Sequence, residues 1–381
     1  MNFTPAQKPL RIVHVMSHAG VFRGGAVQAC RMANIQVARG HRVTIIVNID
    51  PAVDPEKSRK DFRTWRGRLD RRVKVYGRDL GPTGKRWKLR LLLVSRFPHV
   101  VHVHRDEALL AAAAALRRSR RVAFIAQRGT TKVPPRDALK VFTSPGVRGI
   151  VAVADAVREA LIKEGVSAEK VRTIYGTVDL DEFAPGPRNE ALREKLGLEP
   201  GDFVLGSFSS YRKDKGLEGI VQAVARLQRE FPHLRLVFLG AKVEKKLSPI
   251  VDSLGILEAV RFANHQSNVA DWMRAMDCTV MNATKREGLS GVLRESLACG
   301  IPVISTNSDG NGEIVRDGKT GLLIPCDDLD ALTAAIRHAI ENPSEMKRMA
   351  GEGRKWVEAN CSPERHASEL EAFYFDALAL R

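Results

Sequence analysis

Short apolar runs recur along this chain, and each is followed by a loop and then a segment of helical period. In the first half they are RIVHVM (11–16), RVTIIV (42–47), VVHVH (100–104), VAFIAQ (122–127) and GIVAVA (149–154). They are rich in β-branched residues and barely alternate with polar ones, the pattern of strands buried on both faces of a parallel sheet. A helix predicted over Val27–Arg39, stopped by Gly40, separates the first two. Strand, helix and strand at that spacing make a βαβ unit with a right-handed crossover.

The pattern restarts with DFVLGSFS (202–209) and continues through LRLVFLG (234–240), VRFAN (260–264), DCTVMNA (277–283) and IPVIST (301–306). Helices are predicted over roughly 216–230 and over 327–343. The seam falls in EFAPGPRNEALREKLGLEPGD (182–202), which is dense in Pro, Gly and charge. The expected fold class is α/β, with two Rossmann-like domains, 1–186 and 187–362. A C-terminal helix, 363–381, is expected to return to the first. Ligands of such sheets bind beyond the carboxyl ends of the strands, so a cleft between the domains is the expected site. Neither half carries a clean GxGxxG, and nucleotide binding has to rest on other residues.

Composition agrees with this division. A chain of 381 residues exceeds one ordinary core, and 44% apolar residues describe a globular protein. The start lacks a secretory pattern, and ALLAAAAAL (108–116), bounded by Glu107 and Arg117, is too short to span a bilayer. Five scattered cysteines argue against a zinc site or a disulfide framework, and a reducing, cytoplasmic setting is expected. Charge changes the picture more. The net +17 belongs wholly to the first half: residues 1–190 hold 36 Lys/Arg against 17 Asp/Glu, and residues 191–381 hold 25 against 27. The first domain is therefore expected to meet something anionic.

The segment EGLSGVLRE (287–295) holds the candidate chemistry. Ser290 is a plausible N-cap, and Gly288 and Gly291 allow close approach to the backbone. A helix N-terminus suits phosphate or sugar hydroxyls, and Glu295, inside the helix, suits a vicinal diol such as ribose. Taken alone, Glu287 and Glu295 read more readily as two solvated surface charges, the commonest fate of glutamate.

With this segment stand IPVI and GEIVRDGKTGLLIP after it, and RIVHVM…GGA, VVHVH, VRTIYGTVDLDEF and KDKG before it, with SPERHASELEAFYFDAL at the end. In that order the set resembles the retaining glycosyltransferases of the GT-B fold, family 4. The resemblance implies that Glu287 contacts the hydroxyls of a donor sugar and Glu295 the nucleotide ribose. It places Gly288, Leu289, Ser290 and Gly291 along the sugar and diphosphate, and Gly24 and Gly25, in the first loop, near phosphates and acceptor. Lys215 would neutralise the diphosphate. The family's partner arginine falls at Ser210 here, which leaves Arg212 or Lys213 as its substitute. His104 would sit by the donor's sugar carbon, with His102 expected on the opposite face of its strand. Where relatives read N-G-V-D, this chain reads Tyr175 to Asp179, YGTVD.

The resemblance further implies a hexosyltransferase without cofactor or metal, with the nucleotide sugar, most often UDP-linked, as a substrate; an Asp-x-Asp element is expected to be absent, in keeping with metal-independence. The acceptor would be a lipopolysaccharide core or another surface glycan. An epimerase or phosphorylase of the same fold, or a non-catalytic nucleotide-sugar-binding module, remain alternatives. The basic stretch 57–97 contains KRWKLRLLLVSRF, read as an amphipathic helix whose Arg86, Trp87, Lys88 and Arg90 face the acceptor and an anionic membrane. That places the protein peripherally at the inner face of the plasma membrane. No nucleic-acid module accompanies these charges, and no nucleic-acid partner is expected.

Overall fold

A computed structural model describes residue 6, residues 8–18, residue 20, and residues 24–49, 54–80, 86–117, 121–285 and 287–380. The chain forms two compact units: Met1–Thr177 with Pro363–Arg381, and Val178–Ser362.

Among its described residues the first unit holds seven parallel strands: β1 (Arg11–Met16), β2 (Arg42–Asn48), β3 (Lys74–Arg78), β4 (Val100–His104), β5 (Ala123–Arg128), β6 (Gly149–Ala152) and β7 (Val171–Thr173), in the order β3-β2-β1-β4-β5-β6-β7. The order reverses between β1 and β4, where the crossovers leave in opposite directions and a crevice opens at the strand ends. The sequence pattern locates the central strands to within a residue or two. It misses β3 and β7, because edge strands are short and half-wet and carry no unbroken apolar run.

The second unit repeats the plan with β8 (Phe203–Phe208), β9 (Leu234–Leu239), β10 (Val260–Ala263), β11 (Cys278–Met281), β12 (Val303–Thr306) and β13 (Leu322–Ile324), ordered β10-β9-β8-β11-β12-β13 and all parallel. Its reversal lies between β8 and β11. The stretch 182–202 packs with this unit. Asn189 caps a short helix, Glu190–Lys195, and the buried Arg193 guanidinium donates to Asp277 Oδ2 at 3.0 Å and to the Ala275 carbonyl at 3.1 Å.

The C-terminal helix, Pro363–Ala379, closes the first unit. Leu370, Phe373, Tyr374 and Ala377 share a core with Ile12, Val100, Ile125 and Val151. Gly149 makes room for it, since a Cβ there would stand 2.5 Å from the Phe373 ring. A buried cluster fixes the helix at the other end. Glu371 accepts from Arg39 Nε at 2.5 Å, Arg39 Nη2 at 2.9 Å and His41 Nε2 at 2.9 Å. Burial alone would raise the Glu371 carboxyl, but these hydrogen bonds hold it below its ordinary value. Among the described residues no helix is long and apolar enough to cross a membrane.

Candidate functional site

In the second unit the strand reversal delivers two loops side by side. One follows β8 and ends in a single turn, Lys213–Lys215, closed by Gly216 at φ 57°. A Cβ on Gly216 would lie 2.2 Å from the Asn282 carbonyl oxygen, so only glycine fits. The other loop follows β11 and is tied to the first. Asn282 Nδ2 donates to the Gly216 carbonyl at 2.8 Å, and the Thr284 amide donates to the Asp214 carbonyl at 3.0 Å.

These ties bring Lys215 to Glu287, with Nζ 2.5 Å from Oε2 and side chains only 13% and 18% exposed. Ser290 then caps the helix Gly291–Ala298, its hydroxyl accepting from the Leu293 amide at 3.4 Å. Leu293, Arg294, Ser296 and Leu297 are buried, which leaves Gly291, Val292 and Glu295 along the half-exposed edge. Glu295 therefore shares a face with the helix N-terminus one turn before it. A small pocket beside this edge is lined by Ser209, Lys215, Asn282 and Val292.

Arg212 is engaged locally. Its Nε and Nη2 hold Asp214 at 2.9 and 2.6 Å, which raises the guanidinium pKa further and lowers that of the carboxyl. Ser210 and Lys213 are exposed on the same loop. Asn311 and Ser308, beyond β12, belong to no motif legible in the sequence. Both polar atoms of Asn311 and the Ser308 hydroxyl are buried without a hydrogen-bond partner among the described residues. The Gly310 amide, between them, donates to the Glu287 carbonyl at 3.1 Å. The expected absence of Asp-x-Asp is corrected by Asp-Leu-Asp at 179–181 and 328–330, whose leading carboxylates have structural uses. Asp179 accepts from the Asp181 and Glu182 amides, and Asp328 caps the helix Leu329–Glu341.

The first unit corrects two expectations. Gly24 and Gly25 are not loop residues; they form the first turn of the helix Gly24–Ala38. A Cβ on Gly25 would come 2.6 Å from His18 Nε2, whereas Gly24 has open space. The second correction concerns His102, which shares a face with His104. Side chains alternate along a strand with period two, so positions 102 and 104 point the same way, and the two rings stack with centroids 4.7 Å apart.

His14 lies beside His102 in the β1–β4 register and completes a buried trio at the strand reversal. His14 Nδ1 is 3.0 Å from His104 Nε2. Burial takes His14 down to about 4, and burial together with the neighbouring histidines holds His102 and His104 well below their ordinary value. All three rings are neutral near pH 7. Arg105, directly after His104, has φ 76°, a strained conformation for a side chain of this size.

The basic helix spans Arg86–Ser95. The Arg86 side chain and Lys85 lie outside the described residues. Leu89, Leu92 and Leu93 turn into the core, while Trp87 (62% exposed), Leu91 (62%) and Val94 (55%) form an outward apolar row at helical spacing, flanked by exposed Lys88 and Arg90. Phe97 extends the row at 71% exposure.

Comparison with known proteins bears on both units. Residues 22–182 match the family model Glycosyltransferase Family 4, and residues 188–356 match Glycosyl transferases group 1. The chain is 34% identical over 193 residues to the GDP-mannose-dependent alpha-(1-6)-phosphatidylinositol monomannoside mannosyltransferase of Mycolicibacterium smegmatis, covering 47% of this chain and 50% of the relative. It is 32% identical over 173 residues to the lipopolysaccharide core biosynthesis glycosyltransferase LpsE of Rhizobium meliloti, covering 45% and 49%. The match thus spans about half the length of these curated relatives. Among solved structures, Anabaena HepE in complex with UDP-glucose superposes with a TM-score of 0.83 at 19% identity, over 96% of this chain and 99% of that one. At that identity the likeness speaks to the fold, which is GT-B.

Proposed function

Because this chain belongs to the family 4 glycosyltransferases, we propose that it moves a sugar, with retention of configuration, from a nucleotide-diphosphate donor to a surface-glycan acceptor. The observation that carries the proposal is the Lys215–Glu287 pair beside the N-terminus of the helix Gly291–Ala298. A cation, a carboxylate and free helix amides together match a diphosphate and the hydroxyls of the sugar attached to it. As the glycosidic bond breaks, negative charge grows on the diphosphate. A fixed Lys215 stabilises that charge more in the transition state than in the ground state. Glu287 holds sugar hydroxyls, Glu295 the ribose, and His104 a further sugar hydroxyl. Arg212 contributes only by leaving Asp214, so Lys215 is the principal cation, and no metal ion is required.

The donor is a UDP-hexose, a reading supported by the fold shared with HepE, which was crystallised with UDP-glucose. The acceptor is a lipopolysaccharide core or a related glycolipid at the cytoplasmic membrane face. The naming of the Rhizobium relative supports it, as does the row Trp87, Leu91, Val94 and Phe97 with Lys88 and Arg90 beside it. Such a face inserts apolar side chains at an anionic lipid surface while its cations meet headgroups.

The test is release of nucleoside diphosphate from candidate sugar donors by the wild-type protein, Glu287→Gln and Lys215→Ala. Turnover by the wild type and loss in both variants is the expected result; equal turnover in all three removes the proposal. Analysis of the product separates an epimerase, which needs no acceptor, and a phosphorylase, which needs free phosphate.

A further inference from the structure

The buried polar groups of the first unit extend beyond the three histidines. Gln36, on the helix Gly24–Ala38, and Tyr374, on the helix Pro363–Ala379, join them in one chain of hydrogen bonds. We propose that Gln36 and Tyr374 are positioning residues that determine which ring nitrogen of His104 carries its proton. The relevance to transfer rests on the reading of His104 given above; the hydrogen-bond chain itself does not.

The direction of the chain follows from the orientation of the Gln36 amide. Gln36 Nε2 donates to the Tyr374 hydroxyl oxygen at 3.3 Å, so Gln36 turns its Oε1 toward His14 Nε2, 2.8 Å away. An amide oxygen only accepts, which puts the His14 proton on Nε2. A neutral imidazole has a single N–H, and His14 Nδ1 is therefore an acceptor. The 3.0 Å contact between His14 Nδ1 and His104 Nε2 must then be His104 donating. His104 is left with a bare Nδ1, an acceptor for a hydroxyl and not a donor to one.

On the other branch the Tyr374 hydroxyl, already accepting from Gln36, donates to His102 Nδ1 at 2.7 Å. That leaves the His102 proton on Nε2, which is buried with no partner among the described residues. A buried orphan N–H is costly. With the Gln36 amide turned the other way, Tyr374 would donate to Gln36 Oε1 and accept from His102 Nδ1, leaving a bare His102 Nε2 and the His104 proton on Nδ1, so the tautomers report the direction. Burial supports the same bookkeeping of protons, since it keeps all three rings neutral.

Three imidazoles this close also raise the question of a metal ion, because their nitrogens lie within 4.8 Å of one another. His14 Nδ1 and His104 Nε2 are instead 3.0 Å apart and engaged with each other in a hydrogen bond. Hydrogen bonding uses the arrangement as it stands.

The two positioning residues are 338 positions apart in the sequence. Their contribution would be selective. A His104 of mixed tautomer still fills its place in the sheet, but only a fraction of the molecules offers an acceptor to the sugar hydroxyl.

The experiment is a long-range proton–nitrogen spectrum of the full chain labelled with nitrogen-15 in its histidines, in the wild type, Gln36→Met and Tyr374→Phe, with donor turnover measured alongside. The wild type should show His14, His102 and His104 each with the proton on Nε2. Gln36→Met should give mixed tautomers at His14 and His104 and lower kcat by roughly tenfold, with KM nearly unchanged. Tyr374→Phe, which removes one oxygen from a packed ring, should release His102 first, and it keeps the test alive if Gln36→Met does not fold. A wild-type His104 protonated on Nδ1 would overturn the proposal. So would a Gln36→Met protein with unaltered His14 and His104, or a Tyr374→Phe protein with unaltered His102. The expected tautomers in a protein that turns over no nucleotide sugar would uphold the chain and remove only the transfer reading.

Discussion

Both units place polar side chains where their strand order reverses, but they do so with opposite chemistry. In the first unit the groups sit in the strands themselves: His14 on β1 and His102 and His104 on β4, all buried and neutral. In the second they sit in the loops after β8 and β11, as the charged pair Lys215 and Glu287. Among the described residues, all six buried histidines belong to the first unit and none to the second. A neutral hydrogen-bonded array holds one geometry and orients a ligand. A partly exposed ion pair can exchange its partner for an anion and a hydroxyl. The same topology therefore carries a buried neutral array in one unit and a partly exposed ion pair in the other, and the proposed function assigns the first to orienting a ligand and the second to exchanging with one.

The largest effect should follow from removing the exchangeable pair. Glu287→Gln or Lys215→Ala is expected to lower donor turnover by about a thousandfold, read from steady-state kinetics, while melting changes little. Retained turnover would place the chemistry elsewhere.

The next prediction separates structure from chemistry within the first unit. Glu371→Ala leaves Arg39 buried without its carboxylate, and unfolding in denaturant should show a loss of about 3 kcal/mol confined to the first transition. A loss shared by both transitions would mean that the two units do not unfold separately.

Acid should sharpen the contrast. His14 binds its proton at about 4 when folded, against an unfolded value of about 6.5. The unfolded chain thus gains protons first as pH falls. The first unit is fully stable above about pH 6.5 and should lose about 2 kcal/mol by pH 5 from His14 alone. The second unit, without buried histidines, should hold over that range. Denaturant melts at the two pH values read both.

The smallest effect concerns the outward row. Trp87→Ala with Leu91→Ser should weaken co-sedimentation with anionic vesicles by about tenfold and leave turnover of a water-soluble acceptor unchanged. Equal recovery with neutral and anionic vesicles would remove the electrostatic part of that reading.

Much of this architecture is legible in the residues. The central strands announce themselves as unbroken Val, Ile and Leu runs, and Ser290 as an N-cap through its place before GVLRESLA. Edge strands such as KVYGR do not, because half-wet positions carry no pattern. Gly24 and Gly25 read as loop, since glycine is a poor helix former; the close approach of His18 shows why glycine opens this helix at position 25. Lys215 and Glu287 are individually legible, but their pairing is not, because it depends on the Asn282 and Thr284 bonds that join two loops. Gln36 and Tyr374 leave no signal at all. They are common residue types, and only the return of the C-terminal helix brings them together.

The most direct test of the central claim is the melting temperature of the wild-type protein with a series of nucleoside diphosphates, repeated for Lys215→Ala and His104→Ala. A ligand that binds only the folded state raises melting according to its affinity. Wild-type melting should rise clearly with one diphosphate, UDP foremost; Lys215→Ala should lose that rise and His104→Ala should keep it. A flat response to every nucleotide, or a rise that persists in Lys215→Ala, would contradict that claim.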